Sequence, residues 1–105
     1  MLLDPLLQQM KEHYEPDDVD RFSVAIEFAT EAHAGQMRKS GVAYIEHPRA
    51  VAEKLLRLRM DADTIIAGIL HDVPEDTERT VLEIEDLFGT DVAFLVSGVT
   101  KVGKL

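Results

Sequence analysis

No cysteine occurs among the 105 residues, so a disulfide framework, a thiolate nucleophile and a thiolate metal site are all excluded. Any metal must be held by histidine and carboxylate. No apolar stretch is long enough to span a bilayer. The start, Met1 to Glu12, contains acidic Asp4 and Glu12 and no sustained apolar run behind a basic leader, so it does not read as a secretory signal. Cytoplasmic residence is the default expectation. Basic residues are also scarce, 11 against 20 acidic for a net charge of −9, which argues against general attraction to nucleic acid or to anionic membrane. Internal repeats, low-complexity tracts and convincing strand-type alternation are missing too.

What is present suits one compact unit: 46% of the residues are hydrophobic, an adequate core for this length. The charge is unevenly spread. Between Met37 and Arg59, six basic residues face two acidic ones, a local balance of +4, while the remainder carries 5 basic and 18 acidic residues, or −13. Such an island can hold a small polyanion such as a nucleotide, or its side chains can simply solvate a helix.

Helical spacing accounts for most of the chain. Asp4 and Pro5 read as a cap and first-turn proline for a helix carrying Leu3, Leu6, Leu7 and Met10. Pro16 interrupts it. Asp17, with Asp20 three residues later, is the expected cap of a second helix whose face holds Val19, Phe22, Ile26 and Ala29, with Gly35 as a stop. From Gln36 to Glu46 the period disappears and a loop or short hairpin is expected. His47 should sit at the entrance of a third helix, with Pro48 in its first turn and Val51, Leu55 and Leu58 as its inner stripe. Asp61 can cap a fourth helix, which Ala62, Ile65, Ile66, Ile69 and Leu70 mark as the buried, central one. Pro74 should end or bend it, leaving Glu75 to Arg79 as a loop before a capping box at Thr80 and Glu83. A fifth helix then closes at Gly89, and Val92, Leu95, Val96 and Val99 carry a last one.

His71 and Asp72 follow directly on the most apolar helix, where ionisable groups are costly to bury without partners. A divalent metal is one partner, since imidazole and carboxylate are both good ligands. The other reading is a core histidine with a hydrogen-bond partner beside solvated loop acids. His47 and His33 can approach the same pocket, although a histidine on an apolar face is often structural; His13, outside every pattern, reads as a surface residue.

Three separated segments carry a resemblance: Ala32-His33-Ala34-Gly35-Gln36-Met37-Arg38-Lys39-Ser40-Gly41, then Tyr44-Ile45-Glu46-His47-Pro48, then Ala67-Gly68-Ile69-Leu70-His71-Asp72-Val73-Pro74-Glu75-Asp76-Thr77. In this order they resemble the hydrolase domain of the RelA/SpoT alarmone enzymes, and Phe88-Gly89 with Gly98-Val99-Thr100-Lys101 fit its continuation. The resemblance implies an all-α HD-domain fold, here its front part with five to six helices. It implies His47, His71 and Asp72 as metal ligands, manganese as the ion, and Glu75 and Asp76 as the acids that prepare the attacking water. Arg38, Lys39 and Ser40 would receive the guanine nucleotide of ppGpp or pppGpp. His33 would not be a direct ligand. Rival functions are an HD phosphohydrolase of another nucleotide and a non-catalytic nucleotide-binding module of a GTP pyrophosphokinase protein.

The chain departs from that pattern in three ways. Gly41-Val42-Ala43-Tyr44 stands where Gly-Glu-Pro-Tyr is common, and Val73-Pro74 replaces Val-Val. The family's fourth metal ligand, an aspartate, comes later than residue 105. Residues 1–105 therefore read as a single, partial HD domain, expected to bind metal weakly, to show little hydrolysis and to self-associate through an uncovered apolar patch.

Overall fold

The computed structural model describes the backbone of residues 4–103 and the side chains of residues 4–98. Seven helical segments follow one another: α1 (Pro5–Lys11), α2 (Pro16–Ala32), α3 (Glu46–Arg57), α4 (Ala62–Leu70), α5 (Val73–Asp76), α6 (Val81–Phe88) and α7 (Thr90–Gly103). Six match the expected all-α set, and α5 is an additional single turn. Among the described residues the only extended pairing is one antiparallel bridge between Met37 and Ala43. Leu3 and the side chain of Val99, both expected on helix faces, lie outside the described residues.

Local chemistry explains the boundaries. The Asp4 carboxylate accepts the Leu6 N–H at 2.9 Å and caps α1, with Pro5 in the first turn. The same carboxylate takes both Nη atoms of Arg49, at 2.9 and 2.8 Å, which ties α1 to α3. This bidentate bond holds the Asp4 carboxyl below its ordinary range, against the opposing effect of its burial. For α2 the expectation of an Asp17 cap is corrected: Pro16 already occupies the first turn, Glu15 is the capping position, and Asp17 lies inside the helix near the positive end of its dipole. The capping box at Thr80 and Glu83 is formed as expected.

The inner stripe of α3 also differs. Pro48, Ala52 and Leu56 are the buried residues, Val51 and Leu55 are half-buried, and Leu58 is exposed. The buried row runs i, i+4 through Pro48, Ala52 and Leu56, and Leu58 lies past the last helical turn as the C-cap. Likewise Glu75 and Asp76 are not loop residues; Pro74 starts the α5 turn instead of merely ending α4.

The centre is α4, whose Ile65, Ile66, Ile69 and Leu70 are fully buried and which packs against α2, α3 and α7. Phe22, Ala25 and Ala29 of α2 and Val92 and Val96 of α7 close the core around it. Helices α3 and α4 approach closely at Gly68, where a Cβ would lie 2.6 Å from a Leu55 methyl. The connection between them is short, so the two run antiparallel and the start of α3 meets the end of α4.

That connection contains the one non-glycine residue with positive φ among the described residues, Arg59 at +56°. Its N–H bonds to Leu56 O at 3.0 Å and the Met60 N–H to Leu55 O at 3.1 Å, the Schellman pattern in which glycine normally fills the left-handed position. The left-handed conformation costs a side-chain-bearing residue about 1–2 kcal/mol, and glycine adds about 0.4–1 kcal/mol of unfolded-state entropy. Replacing Arg59 by Gly is therefore expected to stabilise the chain by about 0.5–1 kcal/mol, read as a raised urea midpoint at unchanged slope. A lower midpoint would mean that the Arg59 side chain outweighs the backbone strain.

Candidate metal centre

Antiparallel packing of α3 and α4 brings His47, in the first turn of α3, to His71, the C-cap of α4. Their ring centroids are 5.5 Å apart. Asp72 follows His71 and lies between them: its Oδ2 is 3.5 Å from His47 Nε2 and its Oδ1 is 3.2 Å from His71 Nε2. One ligand atom from each of the three residues lies within 4.8 Å of the other two. The donor set is two imidazole nitrogens and one carboxylate, which suits a borderline divalent cation. His71 is further prepared for that role, because its Nδ1 sits 2.6 Å from Gly68 O. An N–H there donates to the carbonyl, so Nε2, which faces Asp72, is the nitrogen left to bind an ion when the ring is neutral and to donate to Asp72 when it is protonated. The residues thus fit a divalent metal.

The electrostatics are those of a paired site. The hydrogen bond that protonated His71 donates from Nε2 to the Asp72 carboxylate raises its pKa above 6.5, outweighing burial, which opposes the charged form. For Asp72, burial pushes upward, but the His71 hydrogen bond and charge, the Tyr44 hydroxyl and the charge of His47 together hold it below 3.8.

The acids proposed to handle water lie beside this cluster. Asp76, exposed on α5, accepts the Tyr44 hydroxyl at 2.7 Å, and the same hydroxyl lies 3.2 Å from Asp72 Oδ2. Glu75 and Asp76 line an open cleft of about 520 Å³, together with Glu31, Gln36 and Arg79. On another side, His71 borders an apolar cleft of about 300 Å³ formed by Val51, Leu55, Gly68 and Leu95.

Arg38, Lys39 and Ser40 stand apart from the cluster, exposed at the tip of a hairpin. Arg38 and Val42 pair across it at 2.9 Å, and Gly41, with φ +87°, makes the turn that a side chain would strain. Of the other basic residues in the island, Arg49 is engaged by Asp4 and Arg57 by Glu53, so two of the six charges are already paired within the chain. His33 is 2% exposed, places Nδ1 2.9 Å from Gln36 Oε1, and stacks on Tyr44 at 4.8 Å. It is outside the three-residue cluster, and His13 is an exposed surface residue, as expected.

Sequence reasoning gave no role to Gln36, Tyr44 or the Gly68 carbonyl. The first two were legible as a polar residue and an aromatic framing an aperiodic loop. The third is a backbone group with no sequence signal.

The His71–Asp72 pair gives the metal-free chain a pH signature. His71 is raised, so its contribution to stability is complete below 6.5 and is lost as pH climbs through its folded value. Asp72 is lowered, so its contribution is complete above 3.8 and is lost as pH falls through its folded value. Between those limits the pair is fully formed. In chelator, the stability advantage of the wild type over Asp72→Asn is expected to be greatest near pH 5 and to shrink by pH 9, measured by urea unfolding; an advantage that grows toward pH 9 would contradict the pairing.

Comparison with known proteins accords with this geometry. Residues 25–105 match the family model described as HD domain. The chain is 50% identical over 99 residues to a guanosine-3′,5′-bis(diphosphate) 3′-pyrophosphohydrolase of Aquifex aeolicus (strain VF5), covering 94% of the chain and 14% of that protein. It is 46% identical over 106 aligned positions to the bifunctional (p)ppGpp synthase/hydrolase SpoT of Escherichia coli (strain K12), covering 100% of the chain and 15% of that protein. The chain thus spans about one seventh of the length of these relatives. A solved structure, described as a metazoan ortholog of SpoT that hydrolyzes ppGpp and plays a role in starvation responses, superposes with a TM-score of 0.69 at 32% identity. It covers 73% of this chain and 46% of that one. Matched over most of its length and folded as that match requires, the chain belongs to the HD domain family, in the branch that contains the RelA/SpoT alarmone enzymes.

Proposed function

We propose that this chain carries the metal centre and nucleotide loop of a manganese-dependent, cytoplasmic (p)ppGpp 3′-pyrophosphohydrolase. The observation that carries the reading is the convergence of His47, His71 and Asp72, with Asp76 joined to Asp72 through one hydroxyl. The names of the two relatives supply the substrate class.

In this reading His47, His71 and Asp72 hold the ion, and Gly68 O fixes the His71 tautomer that makes this possible. When bound, a divalent cation supplies positive charge that acidifies water and draws electron density from a phosphoryl group. Asp76, with Glu75 beside it, orients water in the open acidic cleft and accepts its proton. Arg38 offers a guanidinium plane to the guanine, while Lys39 and Ser40 meet phosphate. These exposed groups also offset part of the charge of a polyanion that would otherwise be repelled by the surrounding acids. The products are pyrophosphate and GDP or GTP.

The resemblance places a fourth, aspartate ligand outside residues 1–105, and these residues are proposed to be one part of the HD domain. The chain alone is therefore expected to bind Mn²⁺ at least about 10–100-fold more weakly than the complete protein, the cost of losing even an outer partner of a metal site. Calorimetric titration of both checks this; equal affinities would remove the need for a fourth ligand. Exposed Leu82, Leu87 and Phe94 are the apolar residues that support self-association of the isolated chain.

For the activity itself, the complete protein with Mn²⁺ is expected to release pyrophosphate from ppGpp. Asp72→Asn should lower the rate by at least about 10³-fold, since it removes a ligand charge, while thermal unfolding stays two-state. Arg38→Ala should instead raise KM about tenfold or more, by losing the base contact. Turnover of other nucleotides in preference to ppGpp would favour a different HD phosphohydrolase. Nucleotide binding without metal-dependent pyrophosphate release would identify a regulatory module.

A further inference from the structure

The hairpin that carries Arg38, Lys39 and Ser40 is rooted by Gln36 on one side and Tyr44 on the other, whose backbones pair at 2.9 Å. Both side chains reach the same residue of α5. Gln36 Nε2 donates to Asp76 O at 2.5 Å, and Tyr44 Oη donates to Asp76 Oδ2 at 2.7 Å. The Tyr44 hydroxyl also faces Asp72 Oδ2 at 3.2 Å, on the carboxylate that lies between His47 and His71. Its ring is held from behind by His33, which is itself buried and bonded to Gln36. The nucleotide loop, the water-handling acid and the metal cluster therefore meet at one phenol.

A hydroxyl has one proton to give. The shorter contact assigns it to Asp76, so Oδ2 of that carboxylate is held at the phenol, beside the acidic cleft that Asp76 lines. An exposed aspartate on a single helical turn would otherwise sample several rotamers. We infer that Tyr44 is a positioning residue, whose hydroxyl fixes the Asp76 carboxylate relative to Asp72 and registers the nucleotide hairpin against the metal cluster. The inference rests on the proposed roles of Asp72 and Asp76. It goes beyond them in assigning the orientation of Asp76 to a residue outside the proposed ligand and water-handling sets. Phenylalanine at position 44 would keep the ring on His33 and remove only the hydroxyl.

The test combines Tyr44→Phe with a control, Tyr14→Phe, whose hydroxyl serves the distant Met60 carbonyl. In the metal-free chain, the carboxylate carbon resonance of Asp76 is expected to shift in Tyr44→Phe and to stay in place in Tyr14→Phe. In the complete protein with Mn²⁺, Tyr44→Phe is expected to lower kcat about 10–100-fold, the range for outer partners of a metal site, with KM changed less than about threefold. An Asp76 resonance that does not move, or a wild-type kcat in Tyr44→Phe, overturns the inference. Should the wild type release no pyrophosphate at all, the proposed function fails, and the Asp76 resonance alone decides whether Tyr44 orients that carboxylate. If Tyr44→Phe does not fold, the wild type still answers: a Tyr44 hydroxyl proton that exchanges slowly with water and correlates with Asp76 supports the bond, and a freely exchanging one refutes it.

Discussion

Burial of α4 on every side is the constraint on which the site depends. Ile65, Ile66, Ile69 and Leu70 have no exposed surface, so the helix must be enclosed by α2, α3 and α7 at once. Each such side chain contributes on the order of 1.5–3 kcal/mol when removed from water. Gly68 lets α3 come close enough for Leu55 to occupy the space of a side chain. The antiparallel seating that results fixes the start of α3 beside the end of α4. Two histidines separated by 24 positions in the sequence are thereby placed within one ion's reach, through a short reversal of the chain between Arg57 and Ala62.

The chemistry then sits where the apolar helix runs out. His71 and Asp72 are only partly exposed, and each would be costly to place there alone. They are stable together because His71 donates from Nε2 to Asp72 and from Nδ1 to Gly68 O, while the Tyr44 hydroxyl lies 3.2 Å from Asp72 Oδ2. A cation would replace the proton that the pair now shares. The same elements that stabilise the metal-free site are thus those that would orient it for an ion, which is why burial and function do not compete at this position.

Legibility in the sequence followed physical range. Helices with local signals could be read directly: the Asp4 cap, the Thr80 capping box and the all-round apolar run of α4 each depend on neighbours within a few positions. The inner face of α3 could not, because Val51, Leu55 and Leu58 and the adjacent row Pro48, Ala52 and Leu56 are both compatible with helical spacing; only the partner helix decides which row is buried. The single turn of α5 was hidden for a related reason. Pro74 both ends one helix and starts another, and its effect depends on the chain before it. Within the site, the ligand types and, through the resemblance, the convergence of His47, His71 and Asp72 were legible; the contacts that orient them were not. Tyr44, named in the resemblance, carried no role in the sequence because its partners, Asp72 and Asp76, lie about thirty positions away, and Asp76 falls where the sequence reads as loop.

The central claim is that His47, His71 and Asp72 are the first ligands of one divalent cation. Anomalous diffraction at the manganese edge, from crystals of the complete protein grown with Mn²⁺, tests it without recourse to activity. The account requires a single strong peak within coordination distance of His47 Nε2, His71 Nε2 and an Asp72 oxygen, with the His71 Nδ1 still directed at Gly68 O. A peak elsewhere, or full occupancy of a site that excludes any of these three residues, would contradict it.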